Sequence, residues 1–330
     1  MIRKAPSEER VTDLVYDAAA APSMHNAQPW RFHYRQGSRT FRLLADFDCV
    51  MPHSDPDARG LHLGCGAALL NLRVAVVHGG WYPAVRLLPD PDDPVLLATV
   101  QLTDAEGGES DLAVLYPAIH RRHSSRFPFE ETEISESIRT ALSDAADREG
   151  ATLSFPGPWH QQEVLDLVEE AERRNRADRG SDRDLAQWTR IDAPSVNTAP
   201  DGIPDYAFGP RKRGGKAPMR DFAGIRPVAG RGTADFEQSP QLALLGTTDD
   251  RPEDWLRAGQ AMERVLLLAT LEGLSASFAT QAIEWTDLRW PLRDPVTGRT
   301  CTQMVLRLGY GPEGPATPRR PVPDVLDIQP

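Results

Sequence analysis

Residues 61–78, LHLGCGAALLNLRVAVVH, are apolar around nearly the whole circumference of a helix. Such a helix must be wrapped by protein on every side, so it constrains the chain to build layers around a buried central rod. Gly79-Gly80 follows it as a C-cap. A second stretch of this kind, Trp255 to Leu274, places Met262, Val265, Leu266, Ala269 and Leu271 on its inner side. Gly66-Ala67-Ala68-Leu69, Leu72 and Gly80 align with Gly259-Gln260-Ala261-Met262, Val265 and Gly273, and each helix ends in glycine before a strand. The order helix, strand, buried helix, strand also recurs, which points to an internal repeat whose halves pack as a pseudo-twofold pair.

Around these rods the periodicity gives a helix over Glu8–Ala20 and short strands over Phe32–Arg35 and Thr40–Ala45. Further strands are expected over Trp81–Leu88 and Val95–Leu102. A second unit starts near Asp111, with helices predicted over Leu112–Arg122, Ile134–Arg148 and a long charged stretch, His160–Arg190. Strands follow over Ala151–Phe155, Gln241–Gly246 and Thr302–Gly309. The division expected is therefore 1–110 and 111–330, in an α+β fold. Residues 191–239 are rich in Pro and Gly and almost without periodicity, yet carry Ile203, Tyr206, Phe208, Met219 and Phe222. A loop this long in a compact protein is read as a lid with something to pack on.

Charge and composition exclude several classes. With 37 Lys+Arg against 48 Asp+Glu the net charge is −11, which argues against a nucleic-acid partner. No run approaches 18 apolar residues and the first residues hold no apolar leader, so no membrane partner and a soluble, cytoplasmic protein are expected. Cys49, Cys65 and Cys301 form no CxxC pair, and His25, His53, His62, His120 and His123 fall at no metal-ligand spacing with acidic partners, so no metal is expected. Neither a Rossmann nor a P-loop glycine pattern is present.

One polar loop stands apart. Pro22 ends the first helix, Ser23-Met24-His25-Asn26-Ala27-Gln28 supplies hydroxyl, amide and imidazole groups, and Pro29-Trp30 leads into a strand. On the residues alone this is either a plain connection with a tryptophan anchor or a loop of donors for a neutral, multi-acceptor heterocycle. Farther on, Arg122-His123-Ser124-Ser125-Arg126 offers two guanidinium forks and hydroxyls, the chemistry of a phosphate cradle.

Pro22-Ser23-x-x-Asn26-x-Gln28-Pro29-Trp30 resembles the signature of the FMN-dependent nitroreductase family, and Arg122–Arg126 resembles that family's R-x-S-x-R element. The resemblance implies a nitroreductase-like α+β fold in which two pseudo-symmetric halves of one chain mimic the family homodimer. The first half has the loop and the second has the arginine element, the pattern of the fused, monomeric Acg-type subgroup with one FMN per chain. It implies flavin contacts from Pro22, Ser23, Met24, Asn26 and Gln28, and from Arg122, His123, Ser124, Ser125 and Arg126. Thr280 and Gln281 stand where many members carry Glu-Gly, and Arg319 and Arg320 match a basic element before a proline. The chemistry implied belongs to the flavin, with no catalytic side chain: NADH or NADPH as reductant, then a small acceptor such as a nitro compound or quinone, by ping-pong. The alternative is a flavin-sequestering protein whose lid stays closed.

Overall fold

The structure, a computed structural model, describes residues 5–104, 110–191, 200–293, 298 and 300–330. Helix α1 (Glu8–Ala19) is N-capped by Ser7, whose hydroxyl accepts from Arg10 N. Strands β1 (Trp30–Arg35) and β2 (Thr40–Ala45) follow, then the central helix α2 (Arg59–His78), then β3 (Trp81–Leu87) and β4 (Leu96–Asp104). These strands form one antiparallel sheet in the order β1-β2-β4-β3.

The second half repeats that plan. After a short α3 (Ser110–Ala113) come α4 (Glu136–Asp147), β5 (Thr152–Ser154), α5 (Pro158–Ala177) and α6 (Arg179–Gln187). Four short strands, β6 (Thr189–Arg190), β7 (Ile203–Pro204), β8 (Arg211–Gly214) and β9 (Thr233–Asp235), lead to β10 (Gln241–Thr247). The second rod, α7 (Pro252–Leu271), precedes β11 (Ser275–Phe278), α8 (Thr286–Arg289) and β12 (Cys301–Gly309). The sheet order is β5-β10-β12-β11, so each sheet has its long helix between its second and third strands in sequence. After α9 (Val322–Val325), β13 (Leu326–Gln329) returns to pair in parallel with β1, which places residues 326–329 in the sheet of the first half. One hydrophobic core runs through both halves, from Trp30 and Phe32 on β1 to Leu306 and Leu308 on β12.

The two rods cross at glycine. A Cβ on Gly66 would lie 2.3 Å from Leu256 O, and one on Gly259 would lie 2.2 Å from Leu63 O. Each glycine stands three residues after the leucine that meets the other, so the two contacts are reciprocal. Helix α2 is long and apolar enough to cross a membrane, with a mean hydropathy of 1.5, against the expectation that no segment would reach that level. Its apolar window is 94% buried inside the protein, which makes it a core helix.

Several predicted elements differ. The helix expected over 112–122 stops at Ala113 and gives way to a tight turn at Tyr116–Ala118, because Pro117 has no N–H to give a helix. The long charged helix divides at Asp178, whose extended backbone and carboxylate, accepting from Ser181 N, start α6 afresh. Leu271, expected inside, is partly exposed at the end of α7. The segment 191–239 is not structureless: in its described part β7 pairs in parallel with β6 just before the segment, β8 pairs in parallel with β9, and Ile203, Ala207, Phe208, Phe222 and Ala223 form an apolar cluster. Residues 192–199 of the expected lid lie outside the described residues.

Candidate active site

The loop after α1 is wound tightly. His25, Asn26 and Gln28 take positive φ values of 49°, 58° and 54°, the left-handed region that side chains other than glycine seldom enter. Such backbone persists only where surroundings over-determine it, and it concentrates at binding sites. Here the supports are explicit. Ser23 Oγ accepts from Gln28 N at 2.9 Å. Asn26 Nδ2 donates to Gly202 O and Pro318 O, both at 3.0 Å, while its Oδ1 accepts from Arg319. Gln28 donates to Pro200 O and Asn26 O and accepts from Arg320 N. The loop is thus tied to the lid segment and to the segment around Arg319 at once.

It forms one wall of a cavity enclosing about 1240 Å³, mouth included. Pro22 to Asn26, the start of α2 with Arg59, Gly60, Leu63 and Gly64, and the 122–126 element contribute to the lining. So do Met262 from α7, Phe278 and Met304 from the second sheet, and Ile203, Met219, Arg220 and Phe222 from the lid. Methionine, leucine and phenylalanine give it a soft apolar surface. Against this stand five arginines, Arg59, Arg122, Arg126, Arg220 and Arg319. Asp55 and Glu284 line it as well, and Arg220 is paired with Glu284 and Arg122 with Glu263, which leaves Arg59, Arg126 and Arg319 as the lining arginines without an ion pair among the described residues.

The arginines fall into groups. Arg122 and Arg319 hold the carbonyls that end α1: Arg319 Nε donates to Ala19 O, its Nη2 to Ala20 O and Ala21 O, and Arg122 Nη2 to Ala20 O. Cations at a helix C-terminus are favourably placed, and these bonds orient both guanidinium groups at one end of the cavity. Burial, with Arg122 adjoining, brings Arg319 down to about 9. His123 beside them is pushed down to about 4 by burial and by both arginines, so it is neutral at pH 7. At the lid end Arg126 donates to Ala207 O at 2.9 Å and lies 4.6 Å over the Phe222 ring. Arg220 donates to Glu284 at 2.5 Å. Burial, then Arg220 and Arg126, hold the His25 imidazole well below its usual range. Arg59 donates to Gln303 O at 2.6 Å and, among the described residues, has no carboxylate partner.

Of the residues expected from sequence, Pro22, Ser23, Met24, Asn26, Arg122, His123, Ser124, Arg126, Thr280 and Arg319 line the cavity together. Four do not. Gln28 is wholly buried behind the loop, which it braces. The Ser125 hydroxyl donates to Pro312 O. Gln281 is turned to Glu172. Arg320 reaches Asp46 and Asp201, a structural ion pair rather than an open cation. Arg126 also parts from Arg122, toward the lid. Sequence reasoning did not single out Arg59, Arg220 or Glu284, and it read His25 only as part of the polar loop and Phe222 only as lid packing. Arg59 opens an otherwise apolar helix, a signal that was available; the lid residues become neighbours only through the fold.

A mixed α+β core thus surrounds an arginine-rich cavity lined with methionine and phenylalanine. Sequence comparison narrows this. The chain is 31% identical over 328 residues to a Mycobacterium tuberculosis protein named "putative NAD(P)H nitroreductase", covering 98% of this chain and 92% of that one. It is 29% identical over 325 residues to the same organism's protein bearing that name with the suffix acg, covering 97% and 96%. A solved structure of a nitroreductase-type protein from Anabaena variabilis aligns over 94% of this chain with a TM-score of 0.46 and 12% identity. No family model matches the chain. The chain belongs to the nitroreductase family, and its α+β fold is of that kind.

Proposed function

We propose that the chain is an FMN-dependent oxidoreductase that takes reducing equivalents from NADH or NADPH and passes them to a small acceptor. The observation that carries this reading is the donor set: Arg122 and Arg319 at one end of a cavity whose lining elsewhere combines Leu63, Met262, Phe278 and Met304 with further arginines, suited to a ligand with a phosphate at one end and an aromatic body. Arg122 would hold the phosphate, with Ser124 beside it, and Arg319, whose N–H groups are taken by Ala19, Ala20, Ala21, Asn26 and Thr317, would add its positive charge. Pro22, Ser23, Met24 and Asn26 would lie against the ring system with the neutral His25, and Arg126 would add a cation toward the lid. The polar side chain that many family members offer after the second rod is absent. Thr280 faces the cavity but its hydroxyl is bonded to Glu284, so any contact there falls to the backbone.

When bound, FMN supplies the hydride and electron chemistry, by ping-pong between the nicotinamide and an acceptor such as a nitro compound or quinone. The chain's own part is to orient the ring, exclude water with the 200–239 segment, and set the local field with uncompensated arginine. No side-chain acid or base is required. Duplicate sheet orders and reciprocal glycines support a fused pair in one chain; one FMN per chain, a monomer and a cytoplasmic location complete the proposal.

A second reading has its own support. The lid is bonded down to the loop through Gly202 and Pro200 and to Glu284 through Arg220. A lid that stays so would make a flavin-sequestering protein. Anaerobic titration of the FMN-reconstituted protein with NADPH and NADH decides between them. Bleaching of the flavin band supports the reductase; flavin that dithionite bleaches and neither nucleotide does supports sequestration. Protein that retains no flavin defeats both.

A further inference from the structure

Behind the arginine pair lies a carboxylate that the proposed chemistry does not use. Glu263, midway along α7, is fully buried, and neither of its carboxylate oxygens has a hydrogen-bond partner. Its nearest charge is Arg122, whose Nε lies 3.4 Å away and is itself without a hydrogen bond. Asn71 of α2 lies beside the carboxylate without closing a bond of good geometry. A buried carboxylate that lacks donors is kept ionised only by neighbouring cations. Those cations are Arg122 and Arg319, which also line the cavity.

We propose that Glu263 is a displaceable counter-ion of the cavity's arginine pair: when the phosphate of a bound ligand occupies Arg122 and Arg319, Glu263 takes up one proton from solvent. This rests on reading the cavity as an FMN site. The surroundings leave Glu263 as the group that responds. His123 is neutral near pH 7, and Asp17 is paired with His120 at 2.7 Å. Arg73 of α2 and Arg264 of α7 are both engaged by Glu149, at 2.5 and 2.6 Å. Burial pushes the Glu263 carboxyl up to about 7, with Arg122 and Arg319 opposing, so the free site stands close to its titration point. A phosphate dianion on the same two cations removes the opposition. The proton passes from buffer to a Glu263 oxygen, and nothing is oxidised or reduced.

The test is calorimetry of FMN binding to flavin-stripped protein at about pH 8, where a phosphate monoester has already lost its second proton. Buffers of different ionisation enthalpy report the protons exchanged. Wild-type protein should take up close to one proton per FMN, and its Kd should rise toward tenfold per pH unit above Glu263's titration point. Glu263→Gln should abolish most of both, leaving the smaller share of Arg319. FMN binding without proton uptake, or with equal uptake in the variant, overturns the counter-ion and leaves the cofactor reading standing. Failure to bind FMN at all overturns both. Should the variant not fold, the infrared difference spectrum of the wild type decides: FMN must bring up the carbonyl band of a protonated carboxylic acid, and its absence refutes the proposal.

Discussion

Replacing Gly66 by alanine tests the helix crossing on which both halves depend. In an isolated helix the change stabilises by about 1 kcal/mol, since alanine is the better helix former. Here the added methyl would stand 2.3 Å from Leu256 O, and the obstacle is backbone, which cannot swing aside as a side chain can. The rods must separate by nearly 1 Å along a seam packed on both sides by the main core. Overpacking a core costs about 1–3 kcal/mol, and a backbone obstacle belongs at or above the top of that range, for a net loss of about 2–3 kcal/mol. Gly259→Ala should behave alike, from its 2.2 Å approach to Leu63 O. The double variant is the sharper probe. Once one methyl has parted the helices, the second enters partly opened space, so the pair should cost less than the sum of the singles by about 1 kcal/mol or more. Urea unfolding followed by far-ultraviolet dichroism measures all three. A single variant as stable as wild type, or additive losses, would refute the reciprocal-contact argument.

Other outcomes follow from the site. Arg122→Ala or Arg319→Ala should weaken FMN binding about 10- to 100-fold by removing a buried cation from the cavity wall, whereas Arg320→Ala should leave it within about twofold; fluorescence titration of flavin separates them. Arg220→Met should speed flavin release in stopped-flow measurements, because it frees the lid from Glu284; an unchanged rate would detach that contact from gating. Gln28→Ala should cost about 2–4 kcal/mol in urea unfolding, since Pro200 O, Asn26 O and Arg320 N all lose their partner and the left-handed backbone loses its brace. Finally, Glu263 in the unliganded fold titrates above its ordinary value of 4.5, at about 7. Between those values the native state holds a proton that the unfolded chain has lost, so stability falls as pH rises through that window. Glu263→Gln should therefore gain relative to wild type on going from pH 4 to 7, by on the order of 3 kcal/mol in parallel melts.

Much of this was legible in the sequence because it is local. The apolar circumference of residues 61–78, the match of Gly66 to Gly259 and the turn residues at Pro22 each act over a few positions. The site was legible where side chains point away from their own element, as for Asn26, Arg122 and Arg319. It failed where a residue's partner lies far along the chain. Gln28 and Asn26 look equivalent in sequence, two amides two residues apart. Carbonyls far along the chain separate them: Asn26 meets those of residues 202 and 318 at the cavity wall, while Gln28 meets that of residue 200 and is wholly buried. Arg319 and Arg320 differ by one position, yet one meets helix-end carbonyls and the other Asp46 and Asp201. The lid's order was hidden because its apolar residues pack on one another without a period.

The return of residues 326–329 to β1 has a consequence during synthesis. Until they emerge from the ribosome, β1 is an open sheet edge, a template for pairing with other chains. Arg319 lies only a few residues earlier, so the cavity lacks one of its five arginines for the same interval. Edge protection and completion of the cavity wall are thus late, nearly simultaneous events. A chain truncated before residue 319 would keep both rods, yet leave β1 an open edge and the cavity without Arg319.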